Sequence, residues 1–272
     1  MKFDMNAAWQ DAIRMITSSR DVVVVVAGLF FFLPSVAVTL LAPGLQQMPQ
    51  GVEGEEALAV LQAAVIDAWP ILLVSTIATT VGMLTLLALL RDSTRPTVGE
   101  AIGIGAKSLI PYIAAQLLVG LALGLVIVLG VSIGTATGLS ALAFVLVIVG
   151  IVLAIYVYVK VSLTAPVIAI EKQFNPIQAV QRSWKLTKGN SLRLFGFYLL
   201  LGLAVLVFSI LVGLLTAGIT AALGTDTAGQ LAAGIVNGLF TAGYTTLFYA
   251  ITAAIHRQLS GPSTERTAET FE

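Results

Sequence analysis

The sequence predicts an all-α integral membrane protein. It has six transmembrane helices, three amphipathic helices on the cytoplasmic side, and a pseudo-threefold repeat of one interfacial helix plus one helical hairpin. Three observations predict this. First, 58% of the 272 residues are hydrophobic and only 10% are charged, too few to cover a water-soluble domain. Second, several apolar runs exceed the roughly 20 residues that cross a bilayer as a helix. None of them shows the alternating segments, about 10 residues long, of a membrane barrel. Third, the basic residues fall on one side of the spans.

The spans cover residues 22–42, 68–90, 109–131, 139–161, 192–215 and 228–255. The stretch before the first one, MKFDMNAAWQDAIRMITSSRD, is too polar for a cleaved signal peptide, so the first span is expected to serve as its own insertion signal and stay. Pro34, Pro70 and Pro111 fall inside or at the start of spans, where neighbouring helices can satisfy the freed carbonyls.

Lys2, Arg14 and Arg20 precede span one, and Arg91, Arg95 and Lys107 lie between spans two and three. Lys160, Lys172, Arg182, Lys185, Lys188 and Arg193 lie between spans four and five or at their ends, and Arg257 and Arg266 follow span six. These are all 14 Lys and Arg. The other loops hold only acids: Glu53, Glu55, Glu56 and Asp67 in one, Asp226 in another. The positive-inside rule puts both termini in the cytoplasm.

A short amphipathic stretch precedes each pair of spans, at residues 6–20, 96–109 and 176–190. Ala12, Ala101 and Ala179 align, and six positions later stand Ser18, Lys107 and Lys185. The repeats are 5–90, 96–161 and 176–257, within a membrane domain of residues 1–259. Residues 260–272, SGPSTERTAETFE, read as a disordered cytoplasmic tail. The outer stretch GVEGEEALAV is expected to be helical from Glu53 onward as an extension of span two.

The third amphipathic stretch is the most informative. As a helix begun by Pro176 and stopped by Gly189-Asn190, it carries Ile177, Val180 and Trp184 on one stripe, flanked by Ala179, Ser183 and Thr187. Arg182, Lys185 and Lys188 step along a second stripe. Such a helix lies in the headgroup plane, aromatic and aliphatic groups down and charges out. Each basic residue near an anionic leaflet contributes about 1 kcal/mol. Three roles fit: an anchor that orients spans four and five, a groove for an anionic lipid headgroup, and a docking surface for a cytoplasmic partner. The candidate headgroup or anchor residues are Glu171, Arg182, Trp184, Lys185, Lys188 and Asn190. Glu171 also suits a clamp that pairs with Arg182 or Lys185.

APVIAIEKQFNPIQAVQRSWKLTKGNSLRLFG resembles the signature of bacterial YciC-like proteins and of the membrane domain attached to some glycerophosphoryl diester phosphodiesterases. Pro166, Glu171, Ala179, Ser183, Trp184, Leu186, Thr187, Lys188, Gly189 and Asn190 carry the resemblance. It implies a six-span membrane domain and assigns no mechanism. The phosphodiesterase chemistry does not carry over, because that enzyme uses a soluble barrel with a His-Arg-Gly start and metal-binding acids. Here the nearest stretch is His256-Arg257-Gln258.

The residues themselves show little chemistry. There is no Cys, which excludes disulfides and thiolate sites, and His256 is the single His, with no acids clustered near it in sequence. His256 reads as a residue that orients the end of span six. GEAIGIG, at 99–105, has the spacing of part of a dinucleotide fingerprint but lacks the preceding strand. The span interiors hold no ionisable residue. Lys160 and Asp67 sit near span ends, where both can snorkel, so ion-coupled transport is disfavoured. Asn237, with Thr216, Thr220, Thr241, Thr245 and Thr246, is read as forming interhelical hydrogen bonds. Gly120/Gly124, Gly130/Gly134 and Gly234/Gly238 have the spacing of close helix contacts.

The expectation is a non-enzymatic protein with no cofactor, no metal and no nucleic acid partner. It interacts with membrane lipids of anionic type, binding or moving an amphipathic molecule or supporting envelope organisation. The alternatives are a scaffold or accessory subunit of a membrane complex, and a passive channel or transporter. A protein partner and the oligomeric state are left open.

Overall fold

A computed structural model describes residues 2–45, 54–90, 97–224 and 226–261. Arg91, Arg95, Glu53 and the expected tail beyond Gly261 lie outside the described residues.

Helix α1 (Met5–Ser18) starts at Asp4, whose carboxylate accepts the Ala7 N–H at 3.0 Å. The first span is α2 (Arg20–Ala27), one π-helical turn (Gly28–Phe32) and α3 (Leu33–Leu41). Pro34 lacks an N–H, and the wider turn precedes it. Helix α4 (Gly54–Leu89) carries Glu55 and Glu56 in its first turn, where a helix favours acids, so the second span does extend through the outer acidic stretch.

Helix α5 (Val98–Ala136) opens with a capping box. The Thr97 hydroxyl accepts the Glu100 N–H, and the Glu100 carboxylate accepts the Thr97 N–H at 2.8 Å. The second amphipathic stretch, expected as a separate helix, is continuous with the third span. Nothing between Val98 and Pro111 stops a helix, and Pro111 removes a single ladder bond. Then follow α6 (Ser140–Val161), α7 (Thr164–Ala169), α8 (Pro176–Leu186), α9 (Ser191–Leu223) and α10 (Thr227–Ser260).

Six helical stretches are long and apolar enough to cross a membrane: Arg20–Leu41, Gly54–Leu89, Val98–Ala136, Phe144–Ala169, Ser191–Leu223 and Thr227–Ser260. Each contains most of one predicted span. The chain is a multi-pass helical membrane protein.

The core lies at one end of the bundle. Residues 82–88, 163–169 and 250–256 are three unbroken runs of seven buried residues, at the C-terminal ends of the second, fourth and sixth spans. They start 81 and 87 positions apart (82 to 163 to 250). Met83, Leu84, Leu86, Leu87, Leu163, Val167, Ile168, Ile251 and Ile255 of these runs belong to one hydrophobic cluster, and α4, α7 and α10 touch one another in pairs. Away from this end the surfaces of α5, α6 and α9 are exposed and apolar, as lipid-facing surfaces are.

Glycine contacts are selective. Gly105 sits so close to α4 that a Cβ there would overlap the Thr85 hydroxyl and crowd the Val81 carbonyl. Gly234 and Gly238 pack on Thr39, Phe32 and Val36 of the first span. Gly120 and Gly124 face open space, so that pair brings no helices together among the described residues.

Candidate lipid-facing site at the α8 corner

An α-helix ends with unpartnered carbonyls. At the end of α6 one of these is met by α8. The Ser183 hydroxyl donates to the Lys160 carbonyl at 2.8 Å and accepts the Leu163 N–H at 3.1 Å. One turn on, the Thr187 hydroxyl lies 3.4 Å from the same carbonyl and 3.0 Å from its own Ser183 carbonyl. Helix α8 itself is started by Asn175, whose side chain accepts the N–H groups of Ile177 and Gln178, with Pro176 in the first helical position.

These bonds settle which way α8 faces. Ala179, Ser183, Leu186 and Thr187 are buried against the protein. Small side chains allow that close approach, and the two hydroxyls are satisfied by the α6 end. The expected apolar stripe of Ile177, Val180 and Trp184 instead forms one wall of a groove. Leu118, Ala122 and Val126 of α5 and Leu153, Val157 and Val161 of α6 form the others. The groove encloses about 470 Å³, and Gln181 is its polar lining residue.

Trp184 has a second neighbour. Its ring stands edge-on to Tyr156 with centroids 5.8 Å apart, and the Lys160 ammonium lies 5.5 Å from the Trp184 centroid and 5.6 Å from that of Tyr156. The Lys160 residue is 4% exposed, and its nitrogen is not among the buried unpartnered atoms, so the stem is packed while the ammonium stays accessible. No hydrogen bond or ion pair reaches its ammonium among the described residues. Cation–π contacts contribute about 0.5–2 kcal/mol, and a cation in the last turn of a helix about 0.3–1 kcal/mol.

Glu171, on the other side of the corner, is a junction. Arg182 donates to it through Nε at 3.1 Å, and His256 Nε2 lies 2.9 Å from its Oε1. Burial pushes the Glu171 carboxyl up, but the hydrogen bonds and charges of His256 and Arg182 outweigh it and hold it below the usual carboxylate range. The sequence showed no acid near His256; the fold brings one from 85 positions away. Asn190 is also engaged within the protein, accepting the Phe3 N–H at 2.9 Å. The N-terminal helix is tied down further by an Asp11–Arg257 ion pair.

The six candidate residues therefore divide. Glu171, Arg182 and Asn190 join α7, α8, α10 and the N-terminal segment. Trp184 forms the groove wall. Lys185 and Lys188 are exposed, with no partner among the described residues. Sequence reasoning missed Lys160 as a member of the site. The Tyr156–Lys160 spacing of four on α6 was the available sign, and Trp184 joins them only through the fold.

A family model described as a domain of unknown function, DUF7847, matches residues 4–259. The chain belongs to the DUF7847 family. No curated protein and no solved structure matches it.

The DUF7847 chain has a second cleft of about 460 Å³, between the first, second and sixth spans. Its polar lining is Ser35, Thr39, Ser75, Thr76, Thr79, Asn237 and Thr241. Thr39 and Thr79 donate back to the Ser35 and Ser75 carbonyls. The Asn237 amide, expected to bond between helices, has no partner among the described residues. No group of three or more His, Asp or Glu side chains in the DUF7847 chain gathers to hold a metal ion, among the described residues.

Proposed function

We propose that this DUF7847 protein is a non-enzymatic, lipid-interacting protein of a bacterial cytoplasmic membrane that binds or moves an amphipathic molecule, with both termini in the cytoplasm. The observation that carries this reading is the α5/α6/α8 groove. Its walls are apolar and rise from the spans, and Ile177, Val180, Gln181 and Trp184 line it from a helix outside them. From Leu118 to Val126 it runs about 12 Å at 1.5 Å per residue, enough for the upper part of an acyl chain. Trp favours the headgroup level of a bilayer. Lys185 and Lys188 follow Gln181 at helical spacing and favour an anionic leaflet.

The interfacial character of α1 and α8 is part of this reading, as is the pseudo-threefold repeat. The repeat is supported by the three buried runs and by Ala12, Ala101 and Ala179, each 0% exposed. The resemblance to YciC-like membrane proteins supports the same six-span unit. The positive-inside charge map supports the orientation.

Native mass spectrometry of gently extracted protein tests the reading. The wild-type protein is expected to retain phospholipid, and Ala122→Trp, which fills the groove from α5, to lose it. A wild-type protein that comes away bare removes the reading.

The polar cleft favours a second reading, a passive transporter. There the Asn237 amide would meet a polar solute within the membrane. With Asn237→Cys in this Cys-free chain, modification by a water-soluble thiol reagent supports a wetted path, and inertness excludes it.

A further inference from the structure

We infer that Lys160 receives the phosphate of an anionic phospholipid whose acyl chain occupies the α5/α6/α8 groove. This rests on the lipid-binding reading and adds the headgroup class and the residue that selects it. Lys160 and the groove share one side chain. The Trp184 indole is a wall of the groove and also carries the Lys160 ammonium, 5.5 Å from its centroid. A chain lying between α5 and α6 with its glycerol end at Trp184 brings its phosphate to that ammonium.

The cation calls for an anion. Its stem is packed into the protein while the ammonium stays accessible, and among the described residues no carboxylate pairs with it. Tyr156 and Trp184 present ring faces, which attract a cation without neutralising it. Glu171, on the other side of the corner, is held by Arg182 and His256. Lys160 also stands in the last turn of α6, where the helix itself carries partial negative charge, so the ammonium is held in place. Lys185 and Lys188, both exposed, add attraction for the leaflet but have no partner that fixes their geometry among the described residues. Selectivity among headgroups is therefore assigned to Lys160.

The test uses the full chain in detergent with an equimolar mixture of phosphatidylglycerol and phosphatidylcholine, read by native mass spectrometry. The wild-type protein is expected to retain phosphatidylglycerol at least tenfold over phosphatidylcholine. Lys160→Gln should still retain one lipid but with the preference reduced to near parity, and Lys160→Arg should restore the preference. Undiminished preference in Lys160→Gln overturns the inference and leaves the groove reading standing. No retained lipid in the wild-type protein removes both. Inorganic phosphate in large excess should leave the bound phosphatidylglycerol in place; displacement would overturn the lipid assignment in favour of a site for free anions. If Lys160→Gln does not fold, Trp184→Leu, which opens the wall and removes one ring from the ammonium, is expected to lower the preference at least threefold. An unchanged preference there overturns the inference.

Discussion

The Ser183 hydroxyl donates to the Lys160 carbonyl across 2.8 Å, and so ties α8 to the end of α6. The same oxygen accepts the Leu163 N–H, which makes one buried side chain responsible for two backbone groups of the chain reversal. Removing one partner of a buried hydrogen bond costs about 1–3 kcal/mol. Ser183→Ala is expected to destabilise by that amount, seen as a lower thermal midpoint in detergent. Thr187→Val, whose contact with the carbonyl is longer, should lower it less.

Glu171 predicts a pH dependence. Its carboxyl is held below its ordinary value of 4.5, so its contribution to stability is present above that value. The contribution is lost as pH falls through the folded-state value. The thermal midpoint of the wild-type protein should therefore drop on acidification below about pH 4.5, and Glu171→Gln should show a smaller drop. A variant with the same acid profile as the wild-type protein would remove Glu171 from this role.

Helix α5 crosses α4 at Gly105, where any added side chain meets Thr85 and the Val81 carbonyl. Overpacking of this kind costs about 1–3 kcal/mol. Gly105→Leu is expected to destabilise accordingly. Gly99→Ala, on the same helix with open space around it, should be neutral or slightly stabilising. Parallel thermal melts decide between them.

The Cys-free chain allows a direct check of orientation. Gln10→Cys on α1 and Glu55→Cys at the start of α4 are expected on opposite sides of the membrane. An impermeant maleimide applied to intact cells should reach the second and not the first. The reverse pattern would invert the proposed topology.

Much of the fold was legible in the sequence because hydrocarbon imposes a blunt rule. Backbone polar groups must be satisfied within each span, so an apolar run long enough to cross reads directly as a helix. The six spans, the reach of α4 through the acidic stretch and the start of α8 at Pro176 follow from that rule and from local capping. The candidate site was legible only in its residue types. Ser183, Trp184 and Thr187 stand out in the motif, but their partners Lys160, Tyr156 and Leu163 lie 20 or more positions away, on α6 and in the turn that follows it.

By itself, the sequence determined the number of spans, the sidedness of charge and the presence of a basic, Trp-containing helix, because each is a property of consecutive residues. The tertiary structure alone decided that Glu171 takes Arg182 rather than Lys185 and also meets His256, leaving Lys185 and Lys188 outward. It also decided that α8 buries its small-residue stripe rather than its apolar one, and that Lys160 lies against two rings with no carboxylate partner among the described residues. These outcomes depend on distant elements competing for the same contacts. The small side chains of α8 permit an approach that its larger ones forbid, and the end of α6 supplies polar groups that need the two hydroxyls.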